Sequence, residues 1–165
     1  MEIAWPGRTK PAVRDALFSS VDWFETLTAM IGVKPKAAIK NDGVNQVPAI
    51  LGEKQCRDTV YVHFPHGSEE QEKNIPGFWP ATWVRKGDWK LIRFYEYGRE
   101  ELYNLKSDLS EKVDLAESNP GKRRELSARL NAWLRETGAQ MPEPNPAHES
   151  ARKSRPSPPP ARTSP

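Results

Sequence analysis

Long apolar runs are missing from this 165-residue chain. None approaches the ~20 residues that a membrane-crossing helix needs, so a helical membrane protein is excluded as a reading. Cysteine occurs once, at Cys56, which excludes a disulfide scaffold. The first residues do not read as a secretory leader. An acid, Glu2, stands at the start, and Trp5-Pro6-Gly7 interrupts any apolar stretch. Apolar residues are sparse overall, at 36%. They are sparsest in the last 27 residues: from Ala139 to Pro165 there is no Val, Ile, Leu, Phe, Trp, Tyr or Cys, and eight of the 16 prolines fall there. Such a segment cannot bury enough apolar area to offset the entropy of ordering it, and it reads as a Pro-rich disordered tail. The tail carries Arg152, Lys153, Arg155 and Arg162 against Glu143 and Glu149, so most of the net charge of +3 sits there. The remainder is close to neutral, and no nucleic-acid-binding motif appears. A nucleic-acid partner is therefore not expected. There is no internal repeat.

What is present is concentrated in residues 1–138, which hold all six tryptophans. An opening strand near the amino end is followed by a helix over 20–31, where Val21, Phe24, Leu27 and Ile31 recur at helical spacing. Ser19 and Ser20 are expected to cap its start, and Gly32 to stop it. Asp42-Gly43 is a turn signal. Val47–Leu51 reads as a short helix ending at Gly52, with Pro48 in its first turn. Thr59–Phe64 is β-branched and aromatic, hence a strand ended by Pro65. A long loop over 66–82 follows, then a hairpin over 83–92 turning at Lys86-Gly87-Asp88. A further turn at Tyr97-Gly98-Arg99 leads to a strand over 101–105. The last helix has Asn119 as expected cap, Pro120 in its first position, Gly138 just past its end, and an apolar stripe of Leu126, Leu130, Trp133 and Leu134. Trp83 and Trp89 are expected in the core, and Arg85, Asp88 and Lys90 as exposed hairpin charges.

Six segments, in order, resemble the sulfatase family. Ala4-Trp5-Pro6-Gly7-Arg8-Thr9-Lys10-Pro11 is similar to its Trp-Pro-Gly-Lys-x-Lys-Pro stretch, and Ser20-Val21-Asp22 to its Ser-x-Val-Asp helix start. Asp42-Gly43-Val44 with Val47-Pro48 and Leu51-Gly52-Glu53 resembles its Asp-Gly…Pro-x-Leu-x-Gly-Glu pattern. Val62-His63-Phe64-Pro65-His66 resembles Trp-His-Phe-Pro-His, and Arg85–Ile92 the Arg-x-Gly-Asp-x-Lys-Leu-Ile hairpin. Glu101-Leu102-Tyr103-Asn104-Leu105 through Asp114-Leu115-Ala116 resembles the family's Glu-Leu-Tyr-Asn-Leu strand and turn. Leu109, Asp114 and Val62 depart from the residues usual at their positions, which bears on packing.

The resemblance implies an α/β to α+β fold. Residues 1–55 would be the end of an alkaline-phosphatase-like α/β domain, incomplete by itself and exposing an apolar face. Residues 56–138 would be a small antiparallel sheet packed against a carboxyl-terminal helix, with 139–165 as the tail. It also implies sulfate-ester hydrolysis by a formylglycine made from Cys or Ser in Cys/Ser-x-Pro/Ala-x-Arg, with calcium holding nucleophile and sulfate in an intact member. That motif is missing from these residues. Cys56 is followed by Arg57-Asp58-Thr59-Val60, and Ser118-Asn119-Pro120-Gly121-Lys122 ends in lysine and reads as a helix start. No catalytic residue, metal ligand or cofactor is therefore assigned to this chain, and isolated it is expected to be inactive. His63 and His66 are the candidate substrate-binding residues, with Phe78 and Trp79 available to stack on a sugar or aryl ring. Structural roles for these residues stay open. The partner implied is a sulfate ester or sulfated glycan in the intact enzyme, together with the missing amino-terminal part. The alternative is a non-catalytic module that binds a sulfated carbohydrate or a partner subunit. Intact family members are commonly periplasmic or extracellular; no compartment can be read from this chain.

Overall fold

A computed structural model describes residues 2–34, 41–66, 79–95 and 98–143. The expected Pro-rich tail from residue 144, most of the loop over 66–82 with Phe78, and Tyr97 of the expected turn lie outside the described residues. The chain divides into two compact units, Met1–Val60 and Tyr61–Pro165.

The first unit holds α1 (Asp22–Met30) and α2 (Val47–Leu51). No opening strand forms over residues 2–19. A strand needs a neighbour for its hydrogen-bond ladder, and here the backbone turns on itself instead. The Trp5 carbonyl accepts from the amides of Arg8 and Thr9, and the Trp5 amide donates to Thr9 Oγ1 at 3.0 Å. The expected serine cap is replaced as well. Val21 occupies the N-cap position without a side-chain bond, and the Asp22 carboxylate reaches back to accept the Ser19 amide at 2.9 Å. At its other end the helix stops as its sequence foretells. Gly32 lies in the left-handed region at φ 73°, with Val33 and Gly32 amides bonded back to Thr28 and Ala29. This is a Schellman motif, which glycine enters without the Cβ clash of other residues. The same pattern ends α2 and the last helix.

The second unit is built on a four-stranded sheet in the order β1-β2-β3-β4. Its strands are β1 (Thr59–Phe64, whose first two residues fall in the first unit), β2 (Ala81–Lys86), β3 (Trp89–Phe94) and β4 (Glu100–Asn104). The β2–β3 hairpin is longer than the expected 83–92. Ala81 pairs with Phe94 and Lys86 with Trp89, so only Gly87 and Asp88 make the turn. β4 runs antiparallel to β3, with Leu91 opposite Leu102.

Side chains alternate across a strand, and the register therefore sorts them. Val84, Leu91 and Leu102 share one face and are fully buried. The final helix, α3 (Pro120–Glu136), supplies Leu126, Leu130 and Leu134 to the same core, four residues apart and hence on one stripe. Each fully buried leucine contributes roughly 1.5–3 kcal/mol by area transfer. Trp133, expected in the stripe, is only half-buried. It stacks on Tyr61 with centroids 4.9 Å apart and planes 7° from parallel. Trp89 packs against the core. Trp83 does not: one residue before Val84, it falls on the opposite sheet face, with the Lys90 ammonium 5.2 Å above its ring. Lys90 is itself paired to Glu111 at 2.6 Å and is not a free hairpin charge. Asn119 sits at the N-cap of α3 but makes no cap bond; its side-chain Nδ2 donates to Ser118 Oγ at 3.0 Å instead. Among the described residues no helix is long and apolar enough to cross a membrane.

Candidate functional site

His63, on β1, is held at both ring nitrogens. Nε2 lies 2.8 Å from the Gln140 carbonyl and Nδ1 2.8 Å from the Tyr95 hydroxyl. A carbonyl only accepts, which assigns the proton to Nε2 and makes Nδ1 the acceptor of the Tyr95 O–H. The rings of His63 and Tyr95 meet edge to face at 5.6 Å. Burial pushes the Tyr95 phenol above its usual range, opposed by the Thr82 hydroxyl and the charge of Arg93. Thr82 in turn donates to the Val62 carbonyl at 2.9 Å. The ring is thus fixed in one tautomer and one orientation by residues 32 and 77 positions away. His66 is exposed, its ring edge-on to Phe64 at 5.8 Å. Pro65 and the change from strand to loop separate the two imidazoles, and among the described residues no shared partner joins them. Trp79 is half-buried just before β2.

A second constellation lies in the first unit. The Asp22 side chain is completely buried. Its carboxylate accepts from Arg57 Nε at 3.0 Å and from Arg57 NH2. It also accepts from the amides of Val44 at 2.9 Å and Ser19 at 2.9 Å, and from Gln46 Nε2 at 2.9 Å. Burial pushes the carboxyl up, but the Arg57 guanidinium and the donors of Val44, Ser19 and Gln46 outweigh it and hold the group at about 2. Gly43 belongs to this knot for a steric reason. A Cβ there would lie 2.2 Å from the Val21 carbonyl oxygen. Arg57 also donates to the Asp42 carbonyl at 2.8 Å, so one cation ties the helix, the Asp42-Gly43 turn and the approach to β1.

Four further carboxylates are also held by protein donors. Glu101 takes Arg99 and the Tyr103 hydroxyl. Glu100 takes Arg93 at 2.8 Å and Ser127, and Arg93 continues to Asn131 on α3. Asp114 accepts the amides of Leu102 and Ala116, and Asp108 those of Lys112 and Val113. Among the described residues no group of three or more His, Cys, Asp or Glu converges as a metal site requires. An open cleft of about 190 Å³ lies between Arg14-Asp15 and Gly52–Gln55. Its two cations, Arg14 and Lys54, are balanced by Asp15 and Glu53, so it shows no preference for an anion. Cys56 is half-buried, its Sγ 3.7 Å from the Lys54 carbonyl.

The sheet with one helix on one face, the fixed histidine at its edge and the Asp22 knot before it define a sulfatase carboxyl-terminal region. Residues 1–140 match the family described as "N-sulphoglucosamine sulphohydrolase, C-terminal", and the chain belongs to that family. It is 28% identical over 141 residues to an N-acetylgalactosamine-6-O-sulfatase of Bacteroides thetaiotaomicron, covering 79% of this chain and 26% of that protein. A structure from work on glycosaminoglycan metabolism by Bacteroides thetaiotaomicron superposes with a TM-score of 0.57 at 26% identity, over 78% of this chain and 27% of the other. A third, Ps i-CgsB solved in complex with k-i-k-neocarrahexaose, has a TM-score of 0.64 at 21% identity, over 91% and 31% of the two chains, and shares the fold. The chain thus spans about a quarter of the length of the relatives it matches.

Proposed function

We propose that these residues serve a sulfated-glycan sulfatase as scaffold and substrate wall and do not break the ester themselves. The observation that carries this reading is the commitment of the Asp22, Glu100 and Glu101 carboxylates to arginines and other donors, together with a sequence that lacks Cys/Ser-x-Pro/Ala-x-Arg. Sulfuryl transfer needs an oxygen nucleophile beside a hard cation, and this sequence carries no formylglycine motif to supply that nucleophile. Support for a sulfated glycan as the substrate class comes from the relatives, one of which acts on N-acetylgalactosamine-6-O-sulfate groups by its name. Of the two histidines, His66 is proposed to meet the glycan, as an exposed donor next to Phe64. His63 is proposed to position that end of β1, because both its nitrogens are already engaged.

The test is turnover. Purified chain, with calcium, is offered 4-methylumbelliferyl sulfate and 6-sulfated N-acetylgalactosamine. The expected result is no sulfate release above an empty-vector preparation. Metal-dependent release that tracks the chain through purification refutes the reading.

A further inference from the structure

We infer that the outward side of α3 is a second binding surface for a sulfated glycan chain, apart from the end of β1. The inference rests on the reading that these residues serve a sulfated-glycan sulfatase. It starts from the distribution of charge. α3 carries five cations against Glu125 and Glu136. The rest of residues 1–138 holds two more acids than bases. The helix is thus the positive element of a body that is otherwise slightly acidic.

These cations do little for the helix itself. Lys122, Arg123 and Arg124 stand near its amino end, where the helix dipole is positive and an acid would be the stabilising choice. The first turn has no acid, and the N-cap residue makes no side-chain bond. Only Arg135, in the last turn, lies where the dipole favours a cation. Glu125 answers Lys122 at 2.7 Å and Arg129 at 3.5 Å. Among the described residues Arg124 and Arg135 have no ion pair. A local rule broken without a local gain is expected where a surface has another task.

The helical period arranges the charges. Leu126, Leu130 and Leu134 fix the inward side. At 3.6 residues per turn, Ala128 and Ala132 lie opposite them, on the outward crest. Arg124 and Arg135 fall on one shoulder of that crest, nearly in line and about 16 Å apart along the axis. Lys122 and Arg129 fall on the other. Arg124, Ala128, Arg129 and Arg135 are all exposed. An extended polyanion laid along the crest clears the small alanines and meets long cations on both sides. The arginine fork donates two parallel N–H bonds to a carboxylate or phosphate, and a sulfate ester offers the same kind of oxygen pair. Single-stranded nucleic acid would call for aromatic platforms as well. The crest has none, and Trp133 is stacked on Tyr61. Charge complementarity and a relative that acts on N-acetylgalactosamine-6-O-sulfate groups by its name therefore favour a sulfated glycan as the occupant.

The experiment titrates the full chain with a chondroitin 6-sulfate oligosaccharide by calorimetry at about 50 and 200 mM salt. The comparison ligands are a hyaluronan oligosaccharide of equal length, which has carboxylates only, and a DNA duplex. The expected result is binding to the sulfated glycan that weakens steeply with salt, as release of condensed counterions requires. Arg124→Gln/Arg135→Gln should bind roughly fivefold more weakly or worse, with a flatter salt dependence. Arg124→Lys/Arg135→Lys should recover most of the affinity. Lys10→Gln/Lys34→Gln, which removes two exposed cations from the first unit, should bind as the parent does. Circular dichroism checks the glutamine pair, and Arg124→Gln alone replaces it if it fails to fold. No binding at the lower salt overturns the inference, as does an equal loss in the Lys10/Lys34 variant. Equal binding of hyaluronan or DNA overturns it too, since the surface is then not selective for sulfate. So does a larger loss when Arg152, Lys153, Arg155 and Arg162 are changed to glutamine, because the tail is then the binder. Each of these outcomes leaves the chain's inertness toward sulfate esters standing, and turnover by the isolated chain sinks that reading whatever α3 binds.

Discussion

Replacing Arg57 by methionine tests how the first unit is held together. The substitution keeps an unbranched apolar stem and removes the cation. Asp22 loses the bonds from Arg57 Nε and NH2 and keeps those from Val44, Ser19 and Gln46. A carboxylate that is completely buried is then left without its counter-charge, and breaking such a pair from one side costs about 3–5 kcal/mol. That is a large share of the ~5–15 kcal/mol that stabilises a whole domain. The loss should be local. Hydrogen exchange resolved by peptide is expected to show protection falling several hundredfold in α1 and in residues 44–51. β2, β3, β4 and α3 should keep theirs.

The pH dependence follows the same group. Asp22 titrates at about 2 when folded and near 3.8 in an ordinary setting. The folded state binds the proton less readily, so the stabilisation is complete above about pH 4 and disappears as pH falls toward 2. The shift corresponds to roughly 2 kcal/mol. Without Arg57 the carboxyl rises, and the acid transition of this unit moves to higher pH. An Asp22→Asn/Arg57→Met double variant should be less damaged than Arg57→Met alone, since it removes the unpaired charge. Unchanged protection and an unchanged acid transition in Arg57→Met would refute the claim that this pair holds the unit.

Gly43→Ala places a Cβ 2.2 Å from the Val21 carbonyl oxygen. Backbone must move to admit it, and a loss of about 1–3 kcal/mol or more is expected in urea unfolding of the first unit. Leu130→Ala removes a fully buried core side chain and should cost about 2–5 kcal/mol, against within about 0.5 kcal/mol for Leu109→Ala at an exposed position. Chemical denaturation of the two variants side by side checks the contrast. Tyr103 is nearly buried, and burial, its bond to Glu101 and the charges of Glu101, Asp114 and Glu111 all push its phenol up from 10.0. Alkaline titration followed by ultraviolet absorbance should show this phenolate only together with unfolding. The stability lent by the neutral phenol is whole below about pH 10 and declines above it.

Much of the fold was readable from local chemistry. Short-range rules placed α3, α2, the hairpin turn at Gly87 and the glycine ends of the helices, because capping glycines, helix-start prolines and two-residue turns act within a few positions. The failures share a cause. The serine cap of α1 gave way to Asp22, whose carboxylate serves Ser19 on one side and Arg57 on the other. Trp83 left the core because the strand pleat, fixed by Val84 against Leu91, put it on the far face. The opening strand did not form, since nothing among the described residues of that unit pairs with residues 2–19. His63 was legible as a candidate from its segment, but its partners, Tyr95 and Gln140, have no sequence signature.

By itself the sequence determined the class of this protein. Six ordered segments, a neutral body and the missing formylglycine motif fixed the family and the part of it present, because motif order and composition do not depend on packing. Only the tertiary structure decided which side of α1 faces inward. Periodicity reports that a helix has two faces, and it cannot tell that a buried carboxylate with an arginine 35 residues away will outcompete phenylalanine and leucine for the interior.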